Sequence, residues 1–447
     1  MPPILTRLDV RGATGDLRAL LPAPDLRGEG PTEAVRAILA EVRKGGDAAL
    51  RALTSRFDGV TVDAVRVPAK EVRGALDAID SELRAALEAA AANIEAYHRA
   101  QLHAEVNYQR EGVTVRERRQ PVGRAGLYVP GGRAPYPSTV LMTAIPARVA
   151  GVAELVMCSP PGPDGHLPRS ILAAAAIAGV DEVYRVGGAQ AIAAMAYGTE
   201  SVAAVDVIVG PGNRYVAIAE ALVAQQGTVA VPSAFTGPSE VAVIADDSTP
   251  VDYAAIDLVV QAEHGPDGLA WLITWSEDAA DRIDAAVSRL TDASPRRQEI
   301  LSTLTGGGYA VLVDGPTQAM AVANVVAAEH LELMTADPES LVPLVRNAGA
   351  VFVGPWAPAS VGDYAAGPSH VLPTARSARF GSALGVNDFL KFIHVVALDE
   401  SALSRLAPHV GALARSEGLA AHAESVRLRM VDIEAVGTGL PGTGTAP

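Results

Sequence analysis

The sequence predicts an α/β fold: two doubly wound α/β/α units, with helices at the N-terminus and a helical extension at the C-terminus. Three observations predict it. Between Thr139 and Gly237 short β-rich runs alternate with alanine-rich stretches of helical spacing. The same alternation resumes from Glu240 to Val353. Before Ala104 and after Ser401, by contrast, apolar residues recur at helical spacing among charged ones. Strand, helix, strand at these intervals is the pattern of a parallel sheet, whose neighbouring strands need a connection long enough to cross back over it.

In chain order, Thr32 to Phe57 and Ala69 to about Ala104 are expected as helices, with apolar stripes and few breakers. Val113-Thr-Val-Arg-Glu-Arg-Arg-Gln-Pro121 alternates like a strand, and Arg124 to Gly132 reads as a buried strand closed by a glycine turn. Further strands fall at Ala153 to Cys158, Glu182 to Val186 and Val205 to Val209, with helices at Arg169 to Ala178 and Ala189 to Tyr197. The second set places strands at Glu240 to Ala245, Ala270 to Thr274, Gly308 to Val313 and Ala350 to Val353. Its helices are expected around Val251 to His264, Glu277 to Leu290, Thr317 to Leu331 and Pro338 to Asn347. Ser401 to Asp432 is helical with a break at Gly418, and the Gly, Thr and Pro of 437–447 bury nothing and are expected to be disordered.

A chain of 447 residues with 49% hydrophobic content can bury a sizeable core and predicts two or three domains. Its net charge of −15 speaks against nucleic acid, whose recognition relies on clustered Lys and Arg, so small molecules are the expected ligands. A single cysteine, Cys158, excludes an internal disulfide framework and a Cys-rich zinc module and fits a reducing compartment. Met1 to Asp9 lacks the charged-then-apolar order of a signal peptide, and runs such as Ile171 to Val180 are too short to span a bilayer. A cytoplasmic protein without membrane contact is expected.

Polar residues interrupt apolar or glycine-rich context at four places. Gln261 and His264 lie three apart on the last turn of a predicted helix and so share a face. Glu329 and His330 stand side by side on another predicted helix, about a third of a turn apart. Asp363 follows Val361-Gly362, and Glu417 precedes His422. Zinc takes imidazole nitrogen and carboxylate oxygen, so Gln261, His264, Asp363 and His422 make a chemically sensible ligand set; each alone reads more readily as a helix cap or surface group. A histidine near its free pKa can take a proton from an alcohol as hydride leaves, and a carboxylate beside it can activate water; an exposed helix end is the other reading of Glu329-His330. Gly126 to Gly132, Gly187 to Ala191 and Gly210 to Asn213 each follow a predicted strand, where bare backbone lets a dinucleotide approach. None is the G-x-G-x-x-G fingerprint, and plain turn chemistry accounts for any one of them.

Read together, GLYVPGG, GGAQAIAA, GPGN, GPSE, QAEHGPD, EHLEL, GDYAAGPSHVLPT and the closing Glu417/His422 pair resemble the histidinol dehydrogenase family, in order, from the Arg56-Phe-Asp-Gly59 region to His422. The resemblance implies an NAD-dependent, zinc-dependent four-electron oxidation of L-histidinol to L-histidine through an enzyme-held aldehyde, with NAD bound twice in succession. It implies one zinc ion per subunit on Gln261, His264 and Asp363, with His422 supplied by the neighbouring subunit of an intertwined homodimer with shared active sites. It implies His330 as general base and Glu329 as the group that activates the attacking water. Ser239, Glu417, His330 and the zinc ligands would meet substrate, and Tyr128, Gln190 and Asn213 would sit against NAD. The implied fold is aldehyde-dehydrogenase-like, one unit inserted in the other. An inserted NAD-associated domain, 129–237, would interrupt a discontinuous domain of 1–128 plus 238–387 that carries zinc and catalytic residues. A helical dimerisation extension, 388–436, and the tail 437–447 would follow.

The chain departs from the family pattern at two places. Pro232-Ser-Ala-Phe-Thr-Gly237 replaces a loop that usually carries Asp and Ala-Gly, and Glu220 follows GPGN where Lys is common. The rival reading is a paralogue oxidising another polar primary alcohol, such as a sulfonated diol. A cysteine-dependent aldehyde dehydrogenase using Cys158 and a non-catalytic metal-binding scaffold are the others.

Overall fold

Strands with parallel neighbours on both sides are covered on both faces, so they read as unbroken apolar runs rather than alternations. Val241-Ala-Val-Ile-Ala245, preceded by Glu240, is such a run, and all six of these residues are buried. In a computed structural model describing residues 3–22, 31–131, 134–232, 237, 239–263 and 268–437, with side chains to 431, it forms a central strand.

The chain opens with β1 (Thr6–Asp9), α1 (Thr32–Asp58), α2 (Ala69–Ala75), α3 (Ser81–Ala100), β2 (Val106–Arg110) and β3 (Val113–Pro121). A first α/β stretch follows: β4 (Arg124–Tyr128), α4 (Pro137–Ala150), β5 (Glu154–Ser159), α5 (Arg169–Ile177), β6 (Glu182–Arg185), α6 (Gly188–Tyr197), β7 (Val207–Val209) and α7 (Arg214–Gln225). A second comprises β8 (Glu240–Ala245), α8 (Val251–Ala262), β9 (Leu269–Thr274), α9 (Glu277–Ala293), α10 (Arg297–Gly307), β10 (Gly308–Leu312), α11 (Pro316–Val326), β11 (His330–Met334), β12 (Ala350–Val353) and α12 (Ala359–Tyr364). The chain closes with β13 (Leu390–Leu398), α13 (Glu400–Ser416) and α14 (Ala420–Gly437).

Two compact units result, 1–102 with 122–389 and 103–121 with 390–447. The first holds two parallel sheets, ordered β1-β10-β9-β8-β11-β12 and β6-β5-β4-β7. In the larger sheet, His330 pairs with Val241 and Val241 with Ala270, so the amino ends of β11, β8 and β9 stand side by side. Helices α8, α9 and α10 bury one of its faces around Leu258, Ile283 and Leu304, and α11 buries the other around Trp271 and Met320. In the smaller sheet, β5 and β6 lie to one side of β4 and β7 to the other, so the direction of winding reverses at β4. Its core takes Val35, Leu50 and Leu53 of α1 together with Ile192 of α6 and Val216 of α7.

The second unit is an antiparallel sheet, β13-β3-β2, with α13 and α14 as a helical hairpin that turns at Gly418 with φ 73°. Glycine takes that left-handed conformation without the Cβ clash other residues meet.

Several expected elements differ. The long helix from Ala69 is two, since Asp80 caps a fresh start at Ser81 by accepting from the Leu83 N–H. The helix expected to reach Leu331 ends at Val326, and Pro338 to Asn347 holds only a 3-10 turn, Glu339–Leu344, interrupted by Pro343. Residues 390–398, expected within the helical extension, are a strand. β4, placed by sequence ahead of the insertion, pairs with β5 and β7 in the smaller sheet. Of the tail, 438–447 lies outside the described residues. Among the described residues no helix is long and apolar enough to cross a membrane.

Candidate active site

Glu329 and His330 do not share a helix. Ala327 takes a left-handed conformation, φ 51°, that stops α11, and His330 opens β11. Burial on both faces of the sheet overrides the helix propensity of the Ala, Glu and Leu around them. The pair still meets in one corner at the amino end of the larger sheet. Glu329 Oε2 stands 3.8 Å from His330 Nδ1 and accepts the Glu240 N–H at 3.2 Å. The Ser239 hydroxyl donates to the same carboxylate. On the other side of the ring, Asp363 Oδ1 lies 3.3 Å from His330 Nε2.

Burial raises the Glu329 carboxyl to about 7, against the pull of His330. Burial alone would lower His330, but Glu329, Asp363 and Glu332 outweigh it and lift the imidazole to about 9. Glu240, behind Glu329, is raised to about 8 by burial and by the charge of Glu329.

Glu332, two residues along β11, ties the corner together. It is fully buried and hydrogen-bonded to the Asp257 carboxyl of α8, and its Oε1 accepts the Ala359 N–H at 3.0 Å. Burial raises both carboxyls; the charge of Asp257 raises Glu332 further, while the hydrogen bond to Glu332 holds Asp257 down. Gln261 lies four residues beyond Asp257 on α8, and Asp363 four beyond Ala359 on α12. Four residues is about one helical turn, so each candidate ligand stands one turn past a contact with Glu332.

The Gln261 side chain is buried, and its Nε2 has no partner among the described residues. Amide nitrogen and oxygen are exchanged by a flip, so Gln261 offers an unmet oxygen as readily, and buried polar groups without partners are rare. With the Asp363 carboxylate, this donor set fits a zinc ion. Of the other expected ligands, His264 lies outside the described residues. His422 and Glu417 are exposed on the second unit, at the start of α14 and the end of α13. Among the described residues no cluster of three or more His, Cys, Asp or Glu is spaced to hold a metal ion.

Tyr128, Gln190 and Asn213 share a different place. They line a cleft of about 750 Å³ at the carboxyl ends of the smaller sheet, beside the point where the winding reverses. Dinucleotides bind at such switch points in open parallel sheets. Asn213 caps α7 by accepting from the N–H groups of Tyr215 and Val216 at 3.0 and 3.2 Å, and the Tyr128 hydroxyl accepts the Gly188 N–H at 3.1 Å. The glycines serve close packing: a Cβ on Gly187 would come 2.5 Å from the Pro160 Cβ, and one on Gly210 would collide with the Tyr128 carbonyl. Cys158 lies fully buried behind this cleft, its thiol pushed up to about 12 by burial, which leaves it no thiolate to attack with.

The sequence model of one protein family, described as histidinol dehydrogenase, matches residues 24–430. The chain belongs to the histidinol dehydrogenase family. It is 48% identical over 399 residues to a histidinol dehydrogenase of Rhizobium meliloti, covering 89% of this chain and 91% of that one. A relative of the same name from Thermobifida fusca is 46% identical over 434 residues, 96% of this chain and 98% of that one. The crystal structure of histidinol dehydrogenase from Elizabethkingia anophelis superposes with a TM-score of 0.92 at 32% identity, over 97% of this chain and 100% of that one.

In this member of the histidinol dehydrogenase family, sequence reasoning overlooked Glu332, Asp257 and Glu240. All three gave a readable signal. Glu240 and Glu332 are acids set inside apolar strand runs, and Asp257 lies one turn before Gln261 on an otherwise apolar face. A buried acid costs stability unless something holds it, so an acid in a core pattern is informative.

Proposed function

We propose that this chain oxidises L-histidinol to L-histidine through the aldehyde, with NAD taking up hydride in each of the two steps. The observation that carries the reading is the buried His330 ring between the carboxylates of Glu329 and Asp363, on the same Glu332 support as the orphaned Gln261 amide. Zinc, when bound by Gln261, His264 and Asp363 with His422, would orient the substrate's nitrogen groups. With Asp363 engaged as a ligand, only Glu329 and Glu332 still favour a proton on His330, so the ring can return to neutral and accept the alcohol proton. Glu329, poised near 7 and held by Ser239 and the Glu240 N–H, can take a proton from water attacking the aldehyde carbon. Tyr128, Gln190 and Asn213 line the cleft that suits NAD.

A homodimer with shared sites is part of the proposal. Leu413 is 64% exposed, Val396 59% and Leu428 52%, more large apolar surface than a small unit leaves to solvent. The single, buried thiol supports a cytoplasmic location. Steady-state NADH formation with L-histidinol, set against a panel of polar diols including a sulfonated one, tests the substrate. Turnover of a diol with none of histidinol at saturating zinc overturns it.

A further inference from the structure

Among the described residues lining the cleft at the carboxyl ends of the smaller sheet, Asp58 is the only charged one. It is the last residue of α1, followed by Gly59 at φ 72°. Nothing structural recommends an acid there. The carbonyl end of a helix carries partial negative charge, which repels a carboxylate. One carboxylate oxygen, Oδ2, is buried without a hydrogen-bond partner among the described residues, and burial alone raises the group to about 6. Asparagine would fill the same space without the charge. Beside it Tyr215, 44% exposed and also lining the cleft, offers a flat face to a planar base, while the Phe57 ring, 49% exposed, carries the Arg56 guanidinium 5.0 Å from its centroid.

We infer that Asp58 reads the vicinal diol of the cofactor's adenosine ribose, and so sets the preference for NAD over NADP. The inference rests on the assignment of this cleft to NAD given above. Two adjacent hydroxyls are donors matched to the two oxygens of one carboxylate, and a turn of the Asp58 side chain toward the cleft would give Oδ2 the partner it lacks. A 2′-phosphate replaces one donor with an anion, in a cleft whose described lining holds no cation to offset it.

Calorimetric titration of the full chain with NAD and with NADP tests this without turnover. Wild type is expected to bind NAD at least ~100-fold more tightly than NADP. Asp58→Asn should weaken NAD by roughly tenfold and narrow the preference to about tenfold or less, the size expected for a charged hydrogen-bond acceptor lost. Its thermal midpoint should hold or rise, because the substitution removes an unfavourable charge. Asp58→Glu, which keeps the charge, should keep discrimination against NADP even if steric fit weakens both nucleotides. An unchanged NAD to NADP ratio in Asp58→Asn, with NAD still bound, overturns the inference and leaves the cleft's assignment standing. Failure of the wild-type chain to bind NAD at all overturns the assignment, and the inference with it.

Discussion

His330 has a carboxylate on each side of its ring, and that placement sorts the roles. Replacing it by asparagine keeps a planar polar side chain and removes the proton acceptor. His330→Asn should slow both oxidations by roughly a hundred-fold or more, the usual weight of a general base, with zinc content by metal analysis unchanged. Turnover near wild type would place the base elsewhere. Glu329 faces the other way, toward Ser239 and the Glu240 N–H. Glu329→Gln should leave alcohol oxidation nearly intact and slow conversion of added aldehyde, measured as separate half-reactions; equal losses in both would contradict the division. Glu240 serves a pH prediction. Its carboxyl is raised from 4.5 to about 8, so between those values the folded chain holds a proton that the unfolded chain has released. Stability from this group is full at low pH and is lost as pH rises through about 8. In metal-free protein the thermal midpoint should fall from pH 5 to 8, and Glu240→Gln should flatten that fall; identical slopes would assign the effect to other groups. At this scale the sequence was most legible, because donor chemistry belongs to the side chain whatever element carries it.

Elements were less legible where two patterns compete. Ala327-Ala-Glu-His-Leu-Glu-Leu-Met334 favours a helix by propensity, yet 330–334 is a strand covered on both faces. Over five residues periodicity cannot separate a short buried strand from a buried helix turn. The error matters chemically, because a strand places His330 and Glu332 on one side, two residues apart. Glu332 then spans α8 and α12, each of which carries a proposed ligand one turn further on. Glu332→Gln retains an acceptor for the Ala359 N–H and a donor toward Asp257, and should keep zinc affinity within a few-fold. Glu332→Leu strands both partners in the core, at about 1–3 kcal/mol each, and should weaken zinc by roughly ten- to a hundred-fold in a chelator competition. Equal zinc affinity in the two variants and wild type would show that Glu332 positions nothing.

On the scale of the whole molecule, the two parallel sheets were legible because β-rich runs and alanine-rich helices alternate locally. The assembly of distant segments was not. Nothing in 103–121 announces that its strands join β13, nearly three hundred residues later in the chain. Nor does the pattern of Thr32–Asp58 reveal that its apolar stripe covers the smaller sheet, since a stripe states that a face is buried and not against what. The same limit governs His422, whose exposed place on the second unit leaves its role to the proposed dimer. Symmetry makes that role measurable. If each site takes His330 from one subunit and His422 from the other, His330→Asn and His422→Ala chains are each inactive alone, but a mixed dimer contains one intact site. Denaturing and refolding the two together in equal amounts should yield half mixed dimers, each with one working site of two, and so recover roughly a quarter of wild-type activity. Recovery near zero, with mixed dimers demonstrated by mass, would mean that each chain completes its own site.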